Sequence, residues 1–280
     1  MTPLPGGRNT IERIARLGYG ARGAVYVVVG ALALLAAVGQ GGRAGDSKDA
    51  LRAVLAGPFG AVVVGLIALG LLGFAIWRLV EAVTDADRRG TSAKGLAVRG
   101  AHLISAGLYL ALAASAASLS LGLGMSGGDG MHDWTAWLLA KPFGRWLVAL
   151  GGLAVVGGGF GFLGKAWRGD VTDRLALDAR ARERWAGPIG RFGYAARGLA
   201  FLIIGGFLVA AAWHQRSSDA KGLAEAFALL RAQPYGWVLL GLVAAGHAAF
   251  GAFGLIQARY RHIDAPDLSL IHISEPTRPY

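Results

Sequence analysis

Gly18-Tyr19-Gly20-Ala21-Arg22-Gly23-Ala24-Val25-Tyr26-Val27-Val28-Val29-Gly30 decides the fold, because the chain writes its frame three times. A glycine, an Arg-Gly pair four positions on and a further glycine recur as Gly95…Arg99-Gly100…Gly107 and as Gly193…Arg197-Gly198…Gly205. Each copy is followed downstream by a second signal: Pro58-Phe59-Gly60, Pro142-Phe143-Gly144 and Pro234-Tyr235-Gly236. Self-similarity of this kind marks a repeat architecture, so the fold question reduces to one unit used three times.

Both halves of the unit are long enough to cross a bilayer. Six runs contain no Lys, Arg, Asp or Glu: 23–42, 53–77, 100–128, 146–164, 198–215 and 232–258. A spanning helix needs roughly 20 mainly apolar residues, since each adds about 1.5 Å across a core of about 30 Å. Charged residues make up 16% of the chain, against about 25% in soluble domains, and mean hydropathy is +0.48. The expected fold is an all-α integral membrane protein with six transmembrane helices arranged as three tandem helical-hairpin repeats. The expected boundaries are a tail at 1–13, repeats at 14–86, 87–170 and 191–263, and a cytoplasmic linker helix at 171–190. Residues 268–278, Leu-Ser-Leu-Ile-His-Ile-Ser-Glu-Pro-Thr-Arg, read as the translation of a transposase sequencing adapter and are set aside from fold reasoning.

Lys and Arg number 19 on the side holding both chain ends and the two even-numbered loops, Arg278 left out, and 8 on the other. The positive-inside rule then puts both termini in the cytoplasm of a cell bounded by a plasma membrane. A signal peptide would read Arg13, Arg16 and Arg22 as its basic region and Ala31-Leu32-Ala33 as its cleavage site. The repeat argues against it, because the same span is copied as the third and fifth. A net charge of +11 suggests nucleic acid, yet the basic residues flank apolar runs. The expected partners are the lipid bilayer and its anionic headgroups rather than nucleic acid, with a protein partner or homo-oligomer left open.

Little here announces chemistry. There is no cysteine, which excludes disulfides and thiolate sites. Residues 18–23 match G-x-G-x-x-G, but that motif needs a strand before it, and the third copy loses the middle glycine. Arg168-Gly169-Asp170 is a tripeptide short enough for chance. His247 and His102 fall within spans, where each either hydrogen-bonds a neighbouring helix or handles an ion or proton. None of the six runs holds an acid, which weakens a proton-coupled transporter. No metal spacing, cofactor motif or catalytic constellation stands out, so no cofactor and no enzymatic activity are expected.

Each unit is expected to run from a basic entry through the first span to an outer amphipathic stretch, at 48–56, 132–140 and 221–232. There Trp134, Trp137 and Phe227 would face the acyl boundary. Proline would then open the second span, where its missing N–H costs nothing. Arg22, Arg99 and Arg197 are expected at the cytoplasmic ends of the odd spans, either snorkelling to headgroups or forming a ring about a pseudo-threefold axis that holds an anion or lipid phosphate. Gly23 with Gly30, Gly100 with Gly107, and Gly198 with Gly205 are expected to admit neighbouring helices, as are Gly65 with Gly70, Gly157 with Gly161, and Gly241 with Gly246. A surface helix is expected over 173–185, with Leu175, Leu177 and Trp185 toward the membrane.

The repeated Gly-Tyr-x-Ala-Arg-Gly, the Pro-aromatic-Gly and the ending Gly70-Leu71-Leu72-Gly73-Phe74-Ala75-Ile76-Trp77-Arg78 resemble the bacterial membrane family called domain of unknown function 1206. The resemblance covers residues 14–261 and implies three tandem two-span units. Unit two departs from it: Leu96 replaces the tyrosine, and its second span needs a two-residue shift. The family name implies fold and membrane location but no activity. Two functions follow as expectations. One is a binding or permeation module for a small solute, ion or lipid at the repeat interface. The other is a non-catalytic scaffold that docks partners through the loop 165–197.

Overall fold

The computed structural model describes residues 6–40, 44–86, 90–123 and 130–263, so the adapter-like segment 268–278 lies outside the described residues. The described chain is all-helical. In order it forms α1 (Gly6–Ala37), α2 (Ser47–Leu55), α3 (Gly60–Thr84), α4 (Ala93–Ser120), α5 (Gly130–Leu139), α6 (Gly144–Arg168), α7 (Ala179–Ala181), α8 (Gly187–His214), α9 (Leu223–Arg231) and α10 (Gly236–Tyr260). Helices α1, α3, α4, α6, α8 and α10 are each long and apolar enough to cross a membrane. The π-helical segment Arg182–Ala186 joins α7 to α8, and the helix is continuous over Ala179–His214.

Local chemistry explains where the elements start. Asp46 caps α2 by accepting from the Lys48 and Asp49 amides, while Asp49 reaches back to the Asp46 amide. Glu225 bonds the Gly222 amide ahead of α9 in the same way. At the head of each even span, proline lies outside the helix in the preceding turn and the aromatic takes the left-handed conformation: φ is 55° at Phe59, 60° at Phe143 and 58° at Tyr235. The sharp turn brings the end of the preceding short helix against the motif glycine. A Cβ at Gly60, Gly144 or Gly236 would collide with the carbonyl of Leu55, Leu138 or Arg231. Glycine is therefore the obligatory letter of the motif, rather than proline.

In space the six long helices follow the order α4, α3, α1, α10, α8, α6, each packed on the next, while α4 and α6 do not form a packed pair among the described residues. A six-membered ring with pseudo-threefold order is thus open at one place, inside unit two. Its contacts repeat closely. Gly23 meets Gly251 and Gly30 meets Ala248, across α1 and α10. Gly198 meets Gly159 and Gly205 meets Val156, across α8 and α6. Gly251 follows its motif glycine, Gly236, at the same interval as Gly159 follows Gly144, and Ala248 and Val156 match in the same way. The second span of unit two therefore needs no shift.

The first span of unit two is where the written motif misleads. Arg16 Nη1, Arg99 Nε and Arg191 Nε donate to the carbonyls of Ala258, Ala82 and Ala166 at 3.0, 2.8 and 2.9 Å. The three acceptors stand at one common interval past their motif glycines Gly236, Gly60 and Gly144. Gly241 likewise faces Ala37 as Gly65 faces Ser120. Both pairings align unit two on unit one in a single register, 99 on 16 and 120 on 37, whereas the Gly-x-x-x-Arg-Gly string aligns 99 on 22. Arg99 is thus the structural counterpart of Arg16 and Arg191, and Ser105 stands where Arg22 and Arg197 stand. Gly100 and Gly107 have nothing within 4 Å and are not packing glycines. Ala106 and Ala113, both buried, occupy the places of Gly23 and Gly30.

The opening has a cause in the residues. In units one and three the hairpin closes because Gly70 lies against Ala21 and Gly246 against Ala196, with Gly18 over Phe74 and Gly193 over Phe250. In unit two the matching residues are Ala154 and Ile104, with Gly158 in place of the phenylalanine. A bulky β-branched side chain replaces alanine, and the aromatic that would fill the contact is gone.

Two surface elements differ from expectation. Phe227 is fully buried rather than turned to the acyl boundary, in a core with Val25, Val29, Leu51, Val64, Leu71, Leu240 and Val243. Trp134 and Trp137 are exposed and pack edge to face. Residues 173–178 are not helical: the Ala176 amide donates to Tyr260 and the His262 amide to Arg174, which pins the segment to the end of α10 with Leu175 buried.

Candidate functional site

Arg22 lies in mid-helix rather than at a helix end. From Arg22 to Ala37, the last residue of α1, the helix rises about 22 Å at about 1.5 Å per residue. A hydrocarbon core of about 30 Å that began at Ala37 would reach about 8 Å past Arg22. It is 6% exposed. Its guanidinium carbon stands 5.2 Å from the Tyr19 ring, 4.8 Å from Phe74 and 5.1 Å from Phe250, and Nη2 donates to Gln257 Oε1 at 2.8 Å.

Arg197, its repeat counterpart, converges on the same ring. Its guanidinium carbon lies 4.8 Å from Phe250, 4.8 Å from Tyr26, 4.8 Å from Phe201 and 5.4 Å from Phe162, and Nη1 donates to the Tyr26 hydroxyl. These neighbours come from α1, α6, α8 and α10, so Arg197 lies inside the ring. Tyr109 of α4 reaches the same cluster: its ring packs edge to face on Phe74 at 4.7 Å.

One level toward the basic end, Glu81 is fully buried. It pairs with Arg78 at 2.7 Å and Arg261 at 3.3 Å, and His102 Nδ1 stands 3.9 Å away. The expectation that no span holds a buried acid fails here, because α3 runs on to Thr84, past the uncharged stretch that ends at Trp77. Glu81, Lys165 and Gln257 occupy one repeat position, at a common interval past Gly60, Gly144 and Gly236. Gln257 holds Arg22, Glu81 faces His102, and the Lys165 ammonium lies 5.3 Å from the Tyr194 ring.

Two guanidinium groups, Arg78 and Arg261, thus share one carboxylate, while Arg22 and Arg197 both stand over the Phe250 ring. An arginine at a span centre costs about 2.5–3.5 kcal/mol on insertion scales. Each desolvated aromatic face returns about 0.5–2 kcal/mol, so rings alone can hold the charges in place. The N–H groups are not satisfied by rings. Nε of Arg22, of Arg78 and of Arg197 is buried without a hydrogen-bond partner. Each such donor costs about 1–3 kcal/mol. The residual deficit is one of acceptors, and an anion supplies acceptors.

The other expected residues fall elsewhere. Arg99 caps the end of α3 through the carbonyls of Ala82 and Val83 and takes no part in a three-arginine ring. His247 is buried; Nδ1 bonds the Val243 carbonyl of its own helix at 2.9 Å, and its ring packs edge to face on Phe227. It makes no bond of the expected kind to another helix among the described residues. Gly23, Gly30, Gly198 and Gly205 do admit neighbouring helices. Sequence reading missed Arg78, Glu81, Gln257 and Tyr109. Their spacing from the motif glycines was the available signal. A separate open pocket of about 670 Å³ lies between α6 and α8, lined by Phe160, Leu163, Trp167, Arg168 and Arg191 among others.

Six membrane-capable helices in three tandem hairpins around a basic axial cluster define a multi-pass membrane protein built by internal triplication. The chain belongs to the family described as Domain of Unknown Function (DUF1206), which matches at residues 17–85, 100–169 and 192–261. The first two matches begin at 17 and 100, the same register that the caps Arg16 and Arg99 set. The chain is 32% identical over 255 residues to the uncharacterized protein YxxB of Bacillus subtilis (strain 168), covering 90% of this chain and 92% of that protein. No solved structure matches it significantly.

Proposed function

We propose that this protein binds an anion, a phosphate or carboxylate group, on the axis of the bundle between Arg22, Arg78 and Arg197. The protein would lie in a bacterial plasma membrane with its basic end and both termini cytoplasmic, following the distribution of Lys and Arg. The observation that carries the reading is the set of three buried Nε donors without acceptors, on arginines that share the Phe74 and Phe250 rings. Binding is favoured over permeation. Beyond Tyr26 the core toward the Pro-aromatic-Gly end is filled by Val25, Val29, Val64, Leu71, Leu240 and Val243, which leaves no polar path among the described residues. It is favoured over catalysis because the acid of the cluster, Glu81, is taken up by Arg78 and Arg261. Docking of partners through 165–197 is the weaker reading, since that loop is tied down at Leu175.

The test is thermal unfolding of the detergent-purified protein in phosphate, acetate or chloride at matched ionic strength. Ligand at 100 times its dissociation constant stabilises by about 2.7 kcal/mol. Phosphate or acetate should therefore raise the midpoint by several degrees over chloride. The Arg22→Gln, Arg197→Gln double variant should lose that rise. Equal midpoints of the natural protein in all three salts would sink the proposal.

A further inference from the structure

The open side of the ring lies beside the arginines. Gly158 of α6 would place a Cβ 3.6 Å from the Phe201 ring, and the Phe201 ring is 4.8 Å from the Arg197 guanidinium. Arg22 is buried, but Arg197 is only half-buried although it lies inside the bundle. Its neighbours Tyr26, Phe162, Phe201 and Phe250 cover it from α1, α6, α8 and α10. Of the six long helices, α3 and α4 contribute none of these four rings. At matching positions α6 carries Ala154, Gly158 and Gly161 where α3 carries Gly70, Phe74 and Trp77 and α10 carries Gly246, Phe250 and Phe253. Gly157 and Gly161 have nothing within 4 Å. Two aromatic side chains present in the other two hairpins are thus absent here, and α4 does not move in to fill their place.

We infer that the gap between α4 and α6 admits an anionic phospholipid from the bilayer, with its phosphate on Arg197 and Arg22 and an acyl chain in the slot left by the missing aromatics. This rests on the anion-binding reading and names its ligand class. Three features select a phospholipid over a free ion. The opening faces hydrocarbon rather than water, because it lies between two membrane-spanning helices. Its walls, Ile104, Ala154 and the glycines, offer dispersion contact but no hydrogen bonds. The depth of Arg22, about 8 Å inside the boundary of a core that began at Ala37, is within reach of a headgroup that enters sideways. Basic pockets between spanning helices at the cytoplasmic side are a recurrent way to hold anionic lipid headgroups.

The experiment uses the full chain in detergent with two readouts: the phosphate-induced rise in melting midpoint, and retention of added phosphatidylglycerol in native mass spectra against phosphatidylcholine as control. The variants are Gly158→Phe and Gly161→Phe, which restore the aromatics of units one and three. A Cβ at 158 meets Phe201 at ordinary contact distance and one at 161 meets nothing, so neither substitution is blocked at its Cβ. The natural protein should retain one phosphatidylglycerol, and either variant should retain it at least tenfold less while keeping the phosphate rise. Undiminished phosphatidylglycerol retention in both variants overturns the lipid inference and leaves the anion site standing. Absence of any phosphate rise in the natural protein overturns the anion site itself. Loss of both ligands from both variants would mean that the gap supports the fold rather than a lipid, and this too overturns the inference.

Discussion

The Arg22–Gln257 bond, 2.8 Å long and buried between α1 and α10, is a charged donor with a neutral acceptor. Hydrogen bonds to charged groups contribute about 1.5–3 kcal/mol, and bonds between ionised partners are the strongest of them. The same repeat position carries a carboxylate in Glu81 and an ammonium in Lys165, so the scaffold tolerates charge there. Gln257→Glu would give Arg22 its own counterion without altering the side-chain length. The expected result is a melting midpoint raised by a few degrees in chloride, together with loss of the further rise in phosphate, because the internal carboxylate takes the anion's place. A variant that melts higher and still responds fully to phosphate would show that Arg22 takes no part in anion binding. Glu81→Gln should act in the opposite sense. Removing one partner of a buried ion pair costs about 3–5 kcal/mol, here leaving Arg78 and Arg261 without their shared carboxylate. The midpoint should fall by about 5 °C or more, and an unchanged midpoint would mean that the cluster is not desolvated in the folded protein.

At the scale of the element, glycines that look alike in the sequence do different work. Gly30 and Gly107 hold the same place in the written motif. Gly30 is pressed against Ala248 of α10, and Gly107 faces open space. Leucine at 30 must push α1 off α10, at a cost of about 1–3 kcal/mol or more. Leucine at 107 should fall within about 0.5 kcal/mol of the natural protein. Size-exclusion profiles and melting midpoints of Gly30→Leu and Gly107→Leu in one detergent decide the matter, and equal behaviour would refute the shifted register of α4. The same pair shows what could be read in advance. Six spans, three hairpins and the glycine contacts of units one and three were legible, because uncharged length and small residues at helical spacing act locally. The register of α4 was not. Gly95…Arg99-Gly100 repeats the string by coincidence, and only contact with a neighbouring helix reveals that Arg99 caps α3 as Arg16 caps α10. Of the axial site, Arg22 and Arg197 were legible. Arg78 and Glu81 were not, because they lie past the end of an uncharged run and a charge there reads as loop.

For the molecule as a whole, the question is whether a ring with three like joints can rest with one hairpin open. The joints between units are α1 on α10, α4 on α3 and α8 on α6, and each carries the same arginine cap and a contact between small residues. They carry the assembly. The contacts within a hairpin are secondary, and unit two does without its own. Because the chain has no cysteine, disulfide trapping can map this arrangement without background. A bridge needs Cβ atoms about 3.5–4.5 Å apart. A Cβ at Gly65 would stand 3.7 Å from that of Ser120, and one at Gly241 would stand 3.9 Å from that of Ala37. Paired cysteines at 65 and 120, and at 37 and 241, should therefore cross-link on mild oxidation in membranes. A pair at 104 and 154, the positions that meet in the other two hairpins, should not. Efficient cross-linking of 104 to 154 would mean that the ring closes in the bilayer, and the lateral route to Arg197 would close with it.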